Sequence, residues 1–335
     1  MFTYTLRRLI FAVPTLFFIA LAIFLLLELS PGDPLADQPL SIPPEVREQM
    51  RVALGVGGPW YERFLKWLYL FAVVEPSHVL SWMTGWDLAL DGPRILSWQT
   101  RSPVADIIAQ RLPQTLWVVG LAYLFGILLA VPIGVYSAYR QYSWFDQMGS
   151  FVSMVGFSLP TFFTGPVLIL IFAIWLGWFP MIYDTTLVVN SFEAFGKQLR
   201  QMAMPVFVLT LYNAAQISRF MRASMLDNMG QDYVRTARAK GLTERLVVMV
   251  HVLRNSLIPV VTVIALGIPN IFTGAIITET IFRVNGIGQL LILAIQGSDI
   301  PMVLTISVIF AFLIVTFNLI ADLVYALLDP RIRYE

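Results

Sequence analysis

The sequence predicts an all-α membrane protein of six transmembrane helices. Both termini lie on the cytoplasmic side, and a long insert lies outside the membrane between the first and second helices. Three observations predict this. Of 335 residues, 58% are hydrophobic and only 13% charged, with a mean hydropathy of +0.74; soluble domains lie nearer half apolar and about one quarter charged. Apolar runs of bilayer length recur along the chain. The basic residues are also sorted by side. Arg7, Arg8, Arg140, Arg219, Arg222, Arg235, Arg238, Lys240, Arg245, Arg254, Arg331 and Arg333 fall on one side of six alternating spans, and the short loops opposite hold only Lys197, Arg200 and Arg283. The positive-inside bias makes the first side cytoplasmic.

Residues 1–30 form the first unit of the chain. Arg7 and Arg8 precede an apolar run from Leu9 to Leu27, broken only by Pro14, and roughly 19 residues at about 1.5 Å each nearly cross a hydrocarbon core. The run is too long for an ordinary signal-peptide core and no A-x-A site follows it. Pro31-Gly32-Asp33-Pro34 then stops the helix. Residues 31–111 form the insert. A candidate amphipathic helix covers Glu45–Leu54, and a second runs from Trp60 to Leu70 with Trp60, Phe64, Trp67 and Leu68 on one stripe. Leu65–Val74, ten apolar residues interrupted by Lys66, is too short to span and is expected at the interface, as are Trp82, Trp86 and Trp98.

Residues 112–330 hold the other five spans, expected at Leu116–Tyr136, Met148–Leu176, Met202–Ile217, Leu257–Phe282 and Val303–Leu328, with Gly177–Gln201 as an outer loop and 331–335 as a cytoplasmic tail. The third span carries Gly156, Pro160, Gly165 and Pro166, breakers that suit either a pore lining or close packing. Arg219 and Arg222, at i and i+3, face the same way.

The longest polar interval of the second half reads DYVRTARAKGLTERLVVMVHVLRNSLIP from Asp232 to Pro259, and residues 223–256 are expected to form a cytoplasmic loop. Gly241 suits the C′ position ending one short helix, and Thr243 can cap the next. In the first piece Tyr233, Ala237 and Gly241 recur four apart, and Arg235, Arg238 and Lys240 point elsewhere. Two short helices joined through small residues on the basic side of a membrane suit a surface that another protein grips; a solvated positive loop is the plainer alternative.

The residues exclude several chemistries. There is no Cys for a disulfide, thiolate or thiol nucleophile, and His78 and His251 are too few for a His-built metal site. No GxxxxGK[ST], HExxH or GxSxG is present. The acidic residues Glu28, Glu279 and Asp322 fall near span ends, which disfavours an ion-coupled transporter with a titratable midplane site. The net charge of +1 gives no nucleic-acid signal.

The polar interval resembles the cytoplasmic EAA loop of bacterial ABC-import permeases, in the RTARAKG…HxLRN form of the oligopeptide/dipeptide family. Ala237 and Gly241 match the general pattern; Arg235 and Thr236 replace its Glu and first Ala, and His251, Leu253 and Arg254 stand where Ile, Leu and Pro would. TLRRLIFAVPTLFFI followed by SPGDP is similar to the amino-terminal signature of the B-type subunit. TETIFRVNGIG matches a family motif at Glu279, Gly286 and Gly288 with Asn285 in place of Pro, and DPRIR matches the terminal one.

The resemblance implies a permease subunit in the bacterial inner membrane that pairs with a C-type permease around one translocation path. It implies two ATP-binding partner subunits, which carry the ATP and Mg this chain does not, and a periplasmic or membrane-anchored solute-binding protein. Tyr233, Arg235, Ala237, Arg238, Lys240, Gly241, Arg245, His251 and Arg254 would then couple to the ATPases. Pro31, Gly32, Asp33, Pro34, Glu279, Gly286 and Gly288 would belong to periplasmic loops or the outer gate. The cargo implied is a peptide or similar small solute, with nickel, opines, glutathione or oligosaccharides as alternatives.

Overall fold

A computed structural model of the chain describes residues 2–29, 43, 45–46, 49, 58–273 and 275–328. The Pro31–Pro34 turn, most of the Glu45–Leu54 candidate helix and the terminal DPRIR lie outside the described residues. Within them the secondary structure is helical apart from one isolated bridge between Leu96 and Pro103. Four helical stretches are long and apolar enough to cross a membrane, Ile10–Leu29, Val104–Tyr139, Glu244–Ile271 and Ile300–Asp322; two bent pairs would bring the number to six. The chain divides into two compact units, residues 1–6, 113–289 and 313–335 in one, and 7–112 and 290–312 in the other.

In the first unit, α5 (Leu121–Tyr139) continues from α4 (Val104–Thr115) through a π-helical turn at Leu116–Gly120. It packs closely on α8, which runs unbroken from Phe192 to Met229 over 38 residues. Gly126 and Gly134 allow the approach: a Cβ on Gly134 would lie 2.6 Å from Met221 Cβ and 2.7 Å from the Ser218 carbonyl. Small residues at such crossings let helix backbones come together. The expected fourth span, Met202–Ile217, is only the middle of α8, and α8 is not among the stretches apolar enough to pass as a span. It lies among α5 and the helices Trp144–Ser158, Thr161–Leu168 and Leu253–Gly267, and several of its polar groups are buried against them. Thr210 donates to the Ala122 carbonyl (3.2 Å), Ser224 to that of Ser256 (2.8 Å), and Ser153 and Ser218 share a hydrogen bond.

The expected third span is two helices, α6 (Trp144–Ser158) and α7 (Thr161–Leu168, continued by π-helix Ile169–Trp175), bent by 102°. Pro160 causes the bend, because its ring drives Leu159 to an extended conformation (φ −80°, ψ 117°). Gly156 and Gly165 are packing glycines: a Cβ would meet Leu211 and Ile281 at 3.1 Å in each case. Arg219 and Arg222 take different partners. Arg222 forks onto the buried Asp146 carboxylate (2.6 and 2.8 Å), and Arg219 stacks 4.2 Å over the Phe157 ring.

After α9 (Asp232–Ala239) and α10 (Glu244–Leu246), a π-helical segment Val247–Val252 leads into α11 (Leu253–Gly267) and α12 (Pro269–Thr273). The expected fifth span is therefore divided, with α13 (Ile276–Phe282) a separate helix and α13 with α14 (Ile287–Gln296) a bent pair. The last helix, α15, runs from Ile300 to Leu328. The expected outer loop is helical from Phe192, where the Ser191 hydroxyl caps α8 through the Ala194 amide (3.1 Å).

In the second unit, α1 (Phe2–Leu29) supplies Phe17 and Phe24, whose rings flank Phe64 of α2 (Trp60–Tyr69). A π-helical turn, Leu70–Val74, joins α2 to α3 (Glu75–Thr84). The buried stripe of α2 is Phe64, Trp67, Leu70 and Val74; Trp60, expected on it, is exposed. Arg94 ties the insert together by pairing with Glu75 (2.8 Å) and forking onto Asp106. The loop 97–99 is fastened to the start of α15 by Asp299. This buried carboxylate accepts from the Ser97 hydroxyl and from the Trp98 and Gln99 amides (3.1 and 3.4 Å), and caps α15 through the Met302 amide.

Candidate functional site

Two glycine-bearing corners collect most of the residues singled out in the sequence. At the first, α9 ends in paired hydrogen bonds: the Gly241 amide donates to the Arg238 carbonyl (2.9 Å) and the Leu242 amide to that of Ala237 (3.4 Å). This is a Schellman ending with Gly241 at C′, at φ +78°. The expectation for Gly241 holds in conformation, but a Cβ there would meet nothing within 4 Å. The grouping of Tyr233, Ala237 and Gly241 on one face is corrected. The inward positions are Val234 and Ala237; Tyr233, about 40° from Ala237 on the side away from Val234, is left exposed at the edge, and Gly241 lies beyond the helix end and no longer follows its periodicity. Thr243 stands at the cap position of α10, but its hydroxyl makes no capping bond.

Val234 and Ala237 enter a cluster with Met221 and Met225 of α8, Val247, Val248, Val252 and Val260, and Leu242 packs against it. That cluster fixes α9 to the body of its unit and leaves the charges outside. Arg235, Lys240, Arg245 and Arg254 are exposed, and His251 is half-buried. Tyr233 donates to Asn228 Oδ1 (2.7 Å) across the joint between α8 and α9. Arg238 grips Glu244 with Nε and Nη2 at 3.1 and 2.7 Å, bracing the corner from outside. That hydrogen-bonded carboxylate holds the Arg238 guanidinium above its ordinary pKa. The arrangement offers a rigid, mostly cationic protrusion directly at the end of α8.

At the second corner, between α13 and α14, the side chain of Glu279 is wholly buried. Thr115 donates its hydroxyl to Glu279 Oε1 (3.0 Å) and accepts from the Ile287 amide (2.8 Å); the Gln289 amide donates to Oε2 (3.0 Å). Gly286 and Gly288 make room for the carboxylate. A Cβ on Gly286 would fall 2.4 Å from Glu279 Oε2 and 2.5 Å from Thr115 Oγ1, and one on Gly288 would lie 2.9 Å from Oε2. Glu279, Gly286 and Gly288 are thus brought together, with a carboxylate stapling the chain reversal to the end of α4. Thr115, the fourth member, was not among the residues singled out. Nor were Ser97 and Asp299, hydrogen-bonded partners 202 positions apart. Pro31, Gly32, Asp33 and Pro34 lie outside the described residues.

Comparison with known proteins identifies the family of the chain. Residues 130–334 match the family described as binding-protein-dependent transport system inner membrane component, and residues 1–119 match its N-terminal companion. The chain is 35% identical over 338 residues to the oligopeptide transport system permease protein AppB of Bacillus subtilis (strain 168), covering 100% of both chains. It is 33% identical to the glutathione transport system permease protein GsiC of Escherichia coli (strain K12), again covering 100% of both. A putative peptide transport system permease protein of Brucella abortus (strain 2308) is 33% identical, with 98% of each chain covered.

Proposed function

The chain belongs to the family of binding-protein-dependent transport system inner membrane components, and from that premise we propose the assembly and cargo it serves. It is the permease subunit of an ATP-driven importer, forms half of a translocation path with a C-type permease, and lies in a bacterial inner membrane with both termini cytoplasmic. Hydrolysis belongs to two partner subunits that bind ATP and Mg, and a solute-binding protein delivers from the periplasmic side. The cargo is a peptide or a small solute of that kind, a reading supported by the names of the relatives that match it end to end.

The observation that carries the reading is the first corner. α9 is anchored inward through Val234 and Ala237, while Arg235, Lys240, Arg245 and Arg254 are turned to the outside. A protrusion held rigidly at the end of the longest helix is suited to receive motion from a docked protein. The second corner supports a role for Glu279, Gly286 and Gly288 in an outer gate, since a buried carboxylate with backbone partners fixes a chain reversal that gating would have to move.

Gentle solubilisation and co-purification test the assembly. Stoichiometric recovery of a second permease and two P-loop ATPases, with uptake that stops on ATP depletion, is expected. Recovery of the chain alone, with uptake that collapses when the proton gradient is dissipated, would replace this reading with ion-coupled secondary transport.

A further inference from the structure

The side chain of Phe64 fixes how deep α2 lies. Its ring packs between those of Phe17 and Phe24, with centroids 5.7 and 5.3 Å away. Both partners belong to the apolar stretch Ile10–Leu29, and a ring level with the segment between them sits roughly 13 Å from its Leu29 end. One turn on, Trp67 donates its indole N–H to Thr305 Oγ1 at 3.3 Å. Thr305 lies in the second apolar stretch, Ile300–Asp322, roughly 7 Å from its start. Two separate contacts therefore hold α2 beside membrane-spanning segments, below their ends.

The flank of α2 turned away from those contacts is apolar as well. Tyr61 (50% exposed), Leu65 (56%), Tyr69 (57%) and Val73 (43%) recur at every fourth residue, and the π-helical turn after Tyr69 carries the stripe on. Polar side chains occupy a narrow sector: Glu62 and Lys66 are exposed between the two apolar flanks, and Arg63 reaches to Glu28. A helix bordering water carries its charges on the exposed flank. Here the exposed flank is the apolar one. That is the pattern of a helix at the headgroup–acyl boundary, whose apolar side sinks roughly 5–10 Å below the headgroups.

We propose that the flank Tyr61–Leu65–Tyr69–Val73 contacts the acyl chains of the leaflet at the Leu29 end of α1, with Glu62 and Lys66 at the headgroups. This part of the insert is then a membrane-inserted brace along α1, not a free outer domain. The occupant is lipid because the flank continues the largely exposed apolar surface of α1 at the same depth. The inference rests on the reading of α1 as a transmembrane helix.

The chain contains no cysteine, so an introduced cysteine is the single thiol of this subunit, which is spin-labelled before it is assembled with its partners. The intact transporter, reconstituted in nanodiscs of phosphatidylethanolamine and phosphatidylglycerol, would carry Leu65→Cys or Tyr69→Cys. Phe18→Cys on the exposed side of α1 serves as the lipid reference and Asp87→Cys as the aqueous one. The labels at 65 and 69 are expected to show the oxygen collisions of the Phe18 site and to lose the nickel-chelate collisions of the Asp87 site. Nickel collisions matching the Asp87 site would place the flank in water, and shielding from both reagents would mean that protein covers it; either overturns the proposal. If the Phe18 site itself collides with nickel, the transmembrane reading of α1 fails first and the proposal falls with it.

Discussion

At Gly241 the backbone turns between α9 and α10 at φ +78°, with open space where a side chain would stand; at Gly286 it turns between α13 and α14 without a positive φ, and a carboxylate and a hydroxyl fill the space. The first glycine is needed for its torsion and the second for its missing volume. The difference follows what each corner faces. The first is anchored by apolar residues on one side of α9 and offers its charges and an open edge to the outside. The second is closed around Glu279, and every polar contact it makes is spent within its own unit. An open edge and a closed staple are distinguished by what the same residue type does in each.

Substitutions can break or sharpen that contrast. The largest effect is expected from Ala237→Arg. An unpaired charge among Val234, Val247 and Val252 should cost on the order of 4 kcal/mol, seen as loss of a monodisperse species after solubilisation and a lower Tm. Gly286→Ala comes next: its Cβ collides with Glu279 and Thr115, at about 1–3 kcal/mol. Thermal unfolding of the solubilised protein should show it, and an unchanged Tm would mean the corner yields easily. Thr115→Val leaves the Ile287 amide and Glu279 Oε1 without their hydroxyl, costing roughly 1–2 kcal/mol, and Thr115→Ser should restore the wild-type Tm.

Gly241→Ala and Gly241→Trp share the strain of a left-handed residue, about 1–2 kcal/mol, and should have similar Tm values. If the first corner docks an ATPase, only Gly241→Trp should abolish substrate-stimulated ATP hydrolysis in the assembled complex; equal hydrolysis by the two variants would show that nothing presses on that edge. The smallest effect is expected for Arg235→Ala, whose pairing with Asp232 (3.3 Å) is fully exposed to solvent. Its Tm should be unchanged, and any defect should appear in salt-dependent association with the ATPase subunits.

Short-range features were legible in the sequence and long-range ones were not. The C′ role of Gly241 followed from its position between two short helical patterns, and the grouping of Glu279, Gly286 and Gly288 followed from a compact motif. Thr115 is separated from Glu279 by 164 positions, and no local periodicity reports such a pairing. The bend at Leu159–Pro160 is marked by a proline, yet apolar length alone favours one span. The middle of α8 was read as a span by its hydropathy, and its continuation in both directions was hidden because polar residues such as Gln198, Gln201 and Arg222 signal an exit from the membrane unless protein surrounds them. Four-residue spacing from Phe64 puts Trp60 on the expected stripe, where it is exposed; the burial of Leu70 and Val74 depends on a π-helical turn, which a 3.6-residue period does not anticipate.

The unbroken length of α8 has a mechanical consequence. Thirty-eight residues at 1.5 Å make a rod of about 57 Å, longer than a bilayer with its headgroups. Gly230 and Gln231 alone separate it from α9, and Tyr233 ties the two by its bond to Asn228. A displacement applied at that end has no joint in which to dissipate: tilting the rod by about 5° moves its far end by about 5 Å. A lever of that reach turns a small stroke at the α9 end into a shift the size of a side chain at the other.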